Sequence, residues 1–167
     1  MTDISTLRGI EQKRSIFAYE CAEDGRDSET KAHSIALFKG HYFKDDKYKS
    51  YAKKIPMMIK TNGLGNAFAF ILSKQKGIDK QKRKAGEKDN PKNAYDLIYE
   101  QVSYWLKSPD KKYLLDGKES QDLVKIFIQL DSAQYRAVTN EVLAFFNWLR
   151  RFADGLIDSD ENGTTED

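Results

Sequence analysis

Residues 53–74 read KKIPMMIKTNGLGNAFAFILSK and combine the densest apolar run of the chain with the turn formers Asn62, Gly63 and Gly65. On either side of the glycines, apolar side chains recur every three to four residues, which is the period of an amphipathic α-helix. The stretch therefore predicts two helices that meet at a joint between Gly63 and Gly65. Because apolar residues surround almost the whole second helix, we expect it to be packed on several sides.

The first helix of this pair carries both a proline and a set of lysines. Pro56 lacks a backbone N–H and removes the helical hydrogen bond to Ala52, so we expect a kink there. Lys53, Lys54 and Lys60 border the apolar run with no acidic residue between them. We expect these three charges to lie in water.

The residues before the pair predict two further helices. Apolar residues from Leu7 to Cys21 follow helical spacing, and this first helix is expected to end near Asp24 and Gly25. Residues 27–40 have the composition of a short helix. Side-chain caps are expected at Asp27 or Ser28 for the short helix, and at Asp45 or Asp46 for the helix that contains Pro56.

The residues after the pair begin with a charged segment. Residues 74–92 hold eight basic and three acidic residues with two glycines and almost nothing to bury, which predicts a mobile surface loop. Asn90 is then expected to cap a helix that Pro91 opens and that Ser108 and Pro109 stop. Its inward residues are expected to be Tyr95, Ile98, Val102, Trp105 and Leu106. A short segment, 113–115, leads to another predicted helix over residues 120–129.

The last helix has the clearest pattern in the sequence. Asp131 is expected to cap it, with Gln134 three residues on at the spacing of a capping box. Apolar residues then follow helical spacing to the end of the helix: Tyr135, Val138, Val142, Phe145, Leu149, Phe152 and Leu156. Such a broad stripe predicts burial in a bundle or against a partner. The end of this stripe, at Phe152 and Leu156, is a place where a second copy of the chain could dock.

Together these patterns predict an all-α fold, because no segment alternates over the length of a strand. We expect one domain, a bundle of about six helices with a kinked central helix pair, over residues 1–158. Residues 159–167 are expected to be a disordered acidic tail. A chain of 167 residues is long enough to bury roughly 70% of its unfolded surface.

Charge is distributed unevenly along the chain. Residues 154–167 hold six acidic residues and no basic one, so residues 1–153 carry 28 basic and 20 acidic residues, a net charge of +8. A basic body is compatible with a polyanionic partner, although proteins that bind no nucleic acid also carry such charge. The single cysteine, Cys21, and the lack of a signal peptide or membrane span indicate a cytoplasmic protein.

Catalytic and metal-binding motifs are missing from the sequence. It contains no glycine-rich phosphate loop, no nucleophile elbow, no Cys/His cluster and no close pair of carboxylates on an apolar face. His33 and His41 have no ligand-spaced cysteine or carboxylate beside them. We therefore expect neither an enzyme nor a bound cofactor or metal.

Three segments resemble a known family, the small all-helical subunit of the type III-B CRISPR RNA-guided effector complex called Cmr. They are residues 10–14, IEQKR; residues 53–74, similar to the family pattern KxxPxMIxxNGLxxxLAFLxAK; and residues 135–153, YRAVTNEVLAFFNWLRRFA. A YxxxxxWL element at residues 99–106 adds to the likeness. The longer link over residues 24–46 and the charged loop after Lys74 depart from the family.

The resemblance implies a non-catalytic subunit, present in several copies, that stacks beside the backbone subunits and lines the channel of the guide and target RNA. In that family RNA cleavage belongs to the backbone subunit, and polymerase-like and DNase activities to the large subunit. The expected partners are these Cmr subunits, further copies of the chain, guide RNA and target RNA, with no membrane. The alternative is a purely structural helical adaptor that bridges protein subunits without touching nucleic acid.

The resemblance and the charge pattern both favour basic side chains as phosphate contacts. The predicted nucleic-acid-binding residues are Arg14, Lys53, Lys54, Lys60, Arg150 and Arg151. Their alternative is a solvated basic face without a ligand. For Arg14, which interrupts the apolar stripe of the first helix, pairing with a carboxylate is the simpler interpretation unless another basic group lies nearby.

Overall fold

The computed structural model describes residues 4–30, 47–75 and 91–158, and in these ranges it contains helices and no strand. The described helices are α1 (Ile4–Thr30), α2 (Tyr48–Asn62), α3 (Leu64–Lys74), α4 (Ala94–Lys107), a 3₁₀ helix (Lys112–Leu115), α5 (Leu123–Phe127) and α6 (Ser132–Leu156). The predicted all-α bundle of about six helices is confirmed. Two predicted segments lie almost wholly outside the described residues: the loop between Lys74 and Lys92 and the acidic tail. Both histidines lie outside them as well.

One hydrophobic core joins the helices, and the longest helix after α1, α6, lies along both α1 and α2. Helix α3 packs against α2, α4 and α5, which agrees with its apolar surface on several sides. The largest fully buried side chains are Tyr48, Ile55, Leu64, Phe68, Ile71, Ile98, Tyr99, Leu106, Leu115, Phe127, Phe145 and Phe146. Most of these residues belong to the apolar stripes that the sequence predicts.

The joint between α2 and α3 is at Gly63, as predicted. Its φ of +86° lies in the region that only glycine adopts without strain. The N–H of Gly65, in the first turn of α3, donates to the hydroxyl of Tyr135 at 2.8 Å. A residue of α6 therefore satisfies an N–H that the start of a helix leaves without a partner. Helix α2 continues through the buried Pro56, and a kink at that residue stays a prediction.

Helix α1 extends beyond its predicted end near Asp24 and Gly25 and stops at Thr30. The expected cap at Asp27 or Ser28 is wrong, because both residues lie inside α1. Gly25 does not end the helix; it gives room to the fully buried ring of Tyr48, whose Cδ1 would lie 2.3 Å from a Cβ at position 25. The rest of the short helix predicted over residues 27–40 lies outside the described residues.

We expect Gly25→Ala to destabilise the protein by about 1–3 kcal/mol, the usual cost of forcing a buried side chain to move. Gly9→Ala in the same helix is the matched control, since no heavy atom lies within 4 Å of a Cβ built at that position. Alanine's higher helix propensity should stabilise that variant by up to about 1 kcal/mol. Urea unfolding of both variants measures the difference, and similar effects of the two substitutions would contradict the packing role of Gly25.

Side-chain caps differ from the prediction at two helices. Helix α4 begins at Ala94, and its cap is Asn93, whose side chain accepts from the N–H of Asp96 at 2.8 Å; the predicted start at Asn90 and Pro91 is wrong. The carboxylate of Asp96 accepts from the N–H of Lys92, the residue before the cap, at 2.9 Å, so two side-chain bonds fix the start. Helix α2 has Lys47 at its cap position and no side-chain cap, while Asp45 and Asp46 lie outside the described residues.

Helix α5 covers only Leu123–Phe127, whereas the spacing predicts residues 120–129. The hydroxyl of Tyr99 in α4 donates to the carboxylate of Asp122 at 3.0 Å and accepts from the N–H of Val124 at 3.2 Å. This contact holds Asp122 in an extended conformation and so delays the start of the helix. Helix α6 begins as predicted, with Asp131 accepting from the N–H of Gln134 at 2.8 Å.

Candidate nucleic-acid interface

Helices α2 and α6 lie antiparallel, as two sets of contacts show. At the start of α2, Lys49 donates to the carbonyl of Ile157, the residue that follows α6, at 3.1 Å. At the other end of α2, Gly63 and Gly65 lie beside Tyr135, in the first turns of α6. The polar edges of the two helices therefore face each other along their length.

A groove of about 620 Å³ runs between these polar edges. It is lined by Lys53, Pro56, Met57, Lys60, Leu143, Ala144, Asn147, Arg150, Arg151 and Asp154. Four of the lining side chains are cations and one is an anion, so the groove carries a net charge of +3. We call it the α2–α6 groove. The structure thus brings together Lys53, Lys60, Arg150 and Arg151, four of the six residues predicted from the sequence.

One end of the groove holds its single carboxylate. Oδ1 of Asp154 lies 2.7 Å from Nζ of Lys53 and 3.4 Å from Nζ of Lys49. The hydrogen bond from Lys53 lowers the pKa of Asp154, and the charges of Lys53 and Lys49 add to this effect. Because Asp154 and Lys53 are largely exposed, water and salt screen their attraction, and an incoming anion can compete for the lysines.

The other cations of the groove have no carboxylate partner within the described part of the chain. Lys60 and Arg151 are exposed and make no ion pair there. Arg150 donates only a long hydrogen bond, 3.4 Å, to the side-chain carbonyl of Asn147. These three side chains can therefore turn toward a ligand without breaking an internal ion pair.

Lys54 does not line the groove. Its Nζ lies 5.5 Å from the ring centre of Phe70 in α3, and Nζ of Lys74 lies at the same distance from that ring. Both lysines are exposed, and each makes a cation–π contact with this ring; Lys74 is itself the last residue of α3, and the contact keeps Lys54 beside that helix. Lys54 is thus separated from the four grouped cations, although it neighbours Lys53 in sequence.

Arg14 is also separate from the groove, because it lies inside the bundle. The residue is 9% exposed, and its guanidinium donates to both oxygens of Glu141 in α6, at 3.0 and 2.8 Å. A third contact joins it to Glu11. The carboxylate of Glu141 also accepts from the indole N–H of Trp105 at 2.9 Å and pairs with Lys111 at 3.3 Å. Through these hydrogen bonds Arg14 joins α1 to α6. This agrees with the simpler interpretation of Arg14, which is pairing with a carboxylate.

The partners of Glu141 keep it ionised. Burial raises the pKa of this carboxyl, but hydrogen bonds from Arg14 and Trp105 and the charges of Arg14 and Lys111 outweigh burial and lower the pKa overall. The negative charge of Glu141 therefore balances buried positive charge. This cluster of Arg14, Glu141, Trp105 and Lys111 holds the bundle together rather than presenting a cation at the surface.

Sequence patterns missed several residues of the groove. Met57, which is 70% exposed, lines the groove from α2, and Asn147 and Asp154 line it from α6. Asn147 and Asp154 fall at seven-residue spacing and flank Arg150 and Arg151 on one helix face, a signal that was available in the sequence. Nothing in the sequence shows that this face meets α2. The exposed methionine had no such signal, since methionine is more often buried.

The predicted docking end of α6 lies on a partly exposed aromatic surface. Phe152 packs edge to face on Tyr19 of α1, with ring centres 5.2 Å apart, and stacks on Trp148 at 5.7 Å. Tyr19 is 42% exposed, and Ile16 in the same helix is 59% exposed. Docking of a second copy on this surface stays a prediction.

Neither a metal site nor a membrane span is found in the described ranges. In residues 4–30, 47–75 and 91–158, no group of three His, Cys, Asp or Glu side chains is placed to hold a metal ion. None of the helices there is long and apolar enough to cross a membrane. Cys21 is buried, and burial raises the pKa of its thiol.

Two comparisons with known proteins point to one family. The model of the Cas_Cmr5 family, described as a CRISPR-associated protein, matches residues 10–156. The X-ray crystal structure of a CRISPR-associated Cmr5 family protein from Thermus thermophilus is similar, with a TM-score of 0.51 and 23% sequence identity. That match covers 87% of this chain and 97% of the Thermus chain. At such an identity the structural likeness shows a common helical fold.

Proposed function

Because the chain belongs to the Cas_Cmr5 family, the small subunits of type III-B CRISPR (Cmr) effector complexes, we propose that its α2–α6 groove holds an RNA backbone within that complex. The observation that carries the proposal is the grouping of four cations from two helices. Lys53 and Lys60 approach from α2, and Arg150 and Arg151 approach from α6. A groove with both walls basic can contact successive phosphates of one strand.

The chemistry of the groove suits the RNA backbone better than the bases. Its apolar lining residues, Pro56, Met57, Leu143 and Ala144, include no aromatic ring on which a base could stack. Arginine offers planar N–H donors for phosphate oxygens, and lysine offers a compact charge. Such contacts are independent of sequence, as expected where guide pairing reads the target and protein reads the backbone.

The proposed subunit is non-catalytic and works beside the other Cmr subunits in several copies, in the cytoplasm, in antiviral defence. Lys54 and Lys74, which flank Phe70, could add weaker phosphate contacts outside the groove. Arg14 is left out, because its guanidinium is engaged by Glu141 and Glu11. The proposal thus rests on the four grouped cations.

A purely structural adaptor is the second candidate. It is favoured by the exposed apolar side chains of Ile16, Tyr19 and Tyr104 on α1 and α4, which are 59%, 42% and 49% exposed. Such residues are typical of surfaces that bind other proteins. An adaptor would bind protein partners through such side chains and leave the α2–α6 groove without RNA.

Photocrosslinking of an assembled complex separates the two candidates. We expect p-benzoylphenylalanine in place of Met57, which lines the groove, to crosslink to labelled target RNA. The matched control is the same replacement of Tyr113 in the 3₁₀ helix, since both residues are 70% exposed and only Met57 lines the groove. Normal assembly without a crosslink from position 57 would favour the adaptor, and equal crosslinks from both positions would contradict RNA contact specific to the groove.

A further inference from the structure

The end of α6 delivers an acidic segment to one end of the α2–α6 groove. The carbonyl of Ile157 accepts from Lys49, and Lys53, one turn further along α2, is the first cation of the groove. Residues 159–167, SDENGTTED, follow directly and contain four acidic residues and no basic one. The chain therefore leaves the bundle beside the cations, carrying charge of the opposite sign.

Covalent geometry allows these nine residues to reach along the groove. Nine extended residues reach up to about 30 Å. Lys53 and Lys60 are seven positions apart on α2, which corresponds to about 10 Å of helix. The carboxylates of the segment can thus reach Lys60, Arg150 and Arg151.

Asp154 already shows how a carboxylate occupies this surface. Its Oδ1 lies 2.7 Å from Lys53 at the end of the groove nearest the acidic segment. The remaining cations, Lys60, Arg150 and Arg151, have no ion pair in the described ranges and lie further along the same groove. The groove therefore accepts carboxylates and has further cations that can bind more of them.

We propose that residues 159–167 bind the α2–α6 groove of their own chain and compete with RNA for its cations. The competition with RNA rests on the proposed function. The docking of the segment does not, because it can be measured without RNA. A short tether gives the segment an effective concentration on the order of 1 mM at the groove. If the segment binds the groove with an intrinsic dissociation constant that is also on the order of 1 mM, the segment occupies the groove half of the time. The apparent affinity for RNA then falls about twofold.

The first test compares the full chain with a variant that has a neutral segment: Asp160→Asn, Glu161→Gln, Glu166→Gln and Asp167→Asn. We expect NMR signals of the Arg150 and Arg151 guanidinium groups to differ between the two proteins at low salt. They should coincide in about 1 M salt, where the screening length falls to about 3 Å. Identical arginine signals at low salt would overturn the inference, whatever the protein does with RNA.

The second test measures binding of a fluorescent polyuridine RNA of about 20 nucleotides, long enough to span several phosphate contacts, to the same full-length proteins at low salt. The neutral segment should tighten binding about twofold or more, and the gain should vanish when Lys60, Arg150 and Arg151 are all replaced by glutamine. An undiminished gain in that background would overturn the inference, because the segment would then act by general repulsion. Arginine signals that shift in a protein with no RNA binding would support docking while contradicting the proposed function.

Discussion

Replacing Glu141 by glutamine is expected to lower the free energy of unfolding by about 3–5 kcal/mol, the usual cost of removing one partner of a buried ion pair. Glu141 is 8% exposed and accepts two hydrogen bonds from Arg14, which is 9% exposed. The variant keeps the shape of the side chain but leaves Lys111 buried without its anion, and in the described ranges Arg14 retains only Glu11, whose side chain is 52% exposed, as an ion-pair partner. Their desolvation would then be largely uncompensated.

Urea unfolding of Glu141→Gln and of Glu119→Gln measures this effect. Glu119 is half-buried, and the described structure gives it no ion pair, so its replacement should change stability by no more than about 0.5 kcal/mol. Equal, small losses in both variants would show that the cluster around Glu141 does not hold the bundle together. Contact with RNA would then become an open role for Arg14.

The pH dependence of stability follows from the same carboxylate. The pKa of Glu141 in the folded protein is below 4.5, the value for an unperturbed glutamate. The unfolded state therefore binds the proton first as pH falls. The contribution of Glu141 to stability is complete above pH 4.5 and is lost as pH falls through the folded-state pKa. Unfolding midpoints measured from about pH 7 down to about pH 3 should decline less in Glu141→Gln than in the native sequence.

Much of the fold could be predicted because its long helices are determined by local pattern. The stripe of α6 is continuous, and Asp131 caps it through a neighbour three residues away, so the helix start needs no distant contact. The joint at Gly63 was equally clear, since its positive φ suits glycine. In both cases the deciding residues lie within a few positions of each other.

The errors arose where tertiary contacts set helix ends. Gly25 has the composition of a stop signal, but its missing side chain makes room for Tyr48, and α1 continues. The hydroxyl of Tyr99 fixes Asp122 from another helix and shortens α5. Helix periodicity contains no information about such contacts. Gly25 and Tyr48 are 23 residues apart, and so are Tyr99 and Asp122.

The candidate site was predictable by residue type and not by location. Charge pattern and the family resemblance together selected six basic residues, and four of them meet because α2 and α6 are antiparallel. The partner of Arg14 lies 127 residues away, so its burial could not be read from the first helix alone. Lys54 differs from Lys53 by one residue, about 100° of helix rotation, which is enough to direct it to Phe70.

Removing the three groove cations that have no carboxylate partner in the described ranges should weaken RNA binding far more than any other surface change. Each phosphate contact to single-stranded RNA contributes about 0.7 to the slope of log affinity against log salt. Replacing Lys60, Arg150 and Arg151 with glutamine should therefore lower this slope by about 2 for each copy on the RNA. If affinities converge near 1 M salt, the loss at about 0.1 M is about a hundredfold.

A control with the same change in charge uses exposed lysines outside the groove to which no RNA contact is assigned: Lys92, Lys112 and Lys125, all replaced by glutamine. General attraction depends on net charge and would weaken equally in both triple variants. Contact within the groove depends on position and would weaken mainly in the first. Because one subunit offers few contacts, the assembled complex, where several copies act together, is the appropriate sample.

The measurement that tests the groove most directly is target RNA binding by reconstituted Cmr complex, titrated over salt with two unrelated guide and target pairs. Complexes with the native sequence, the groove variant and the control variant are compared. We predict a slope lower by about 2 per copy for the groove variant, a near-native slope for the control, and the same result for both RNA pairs. A normally assembled groove variant with an unchanged slope would contradict RNA contact at the groove, and a loss confined to one RNA sequence would contradict backbone recognition.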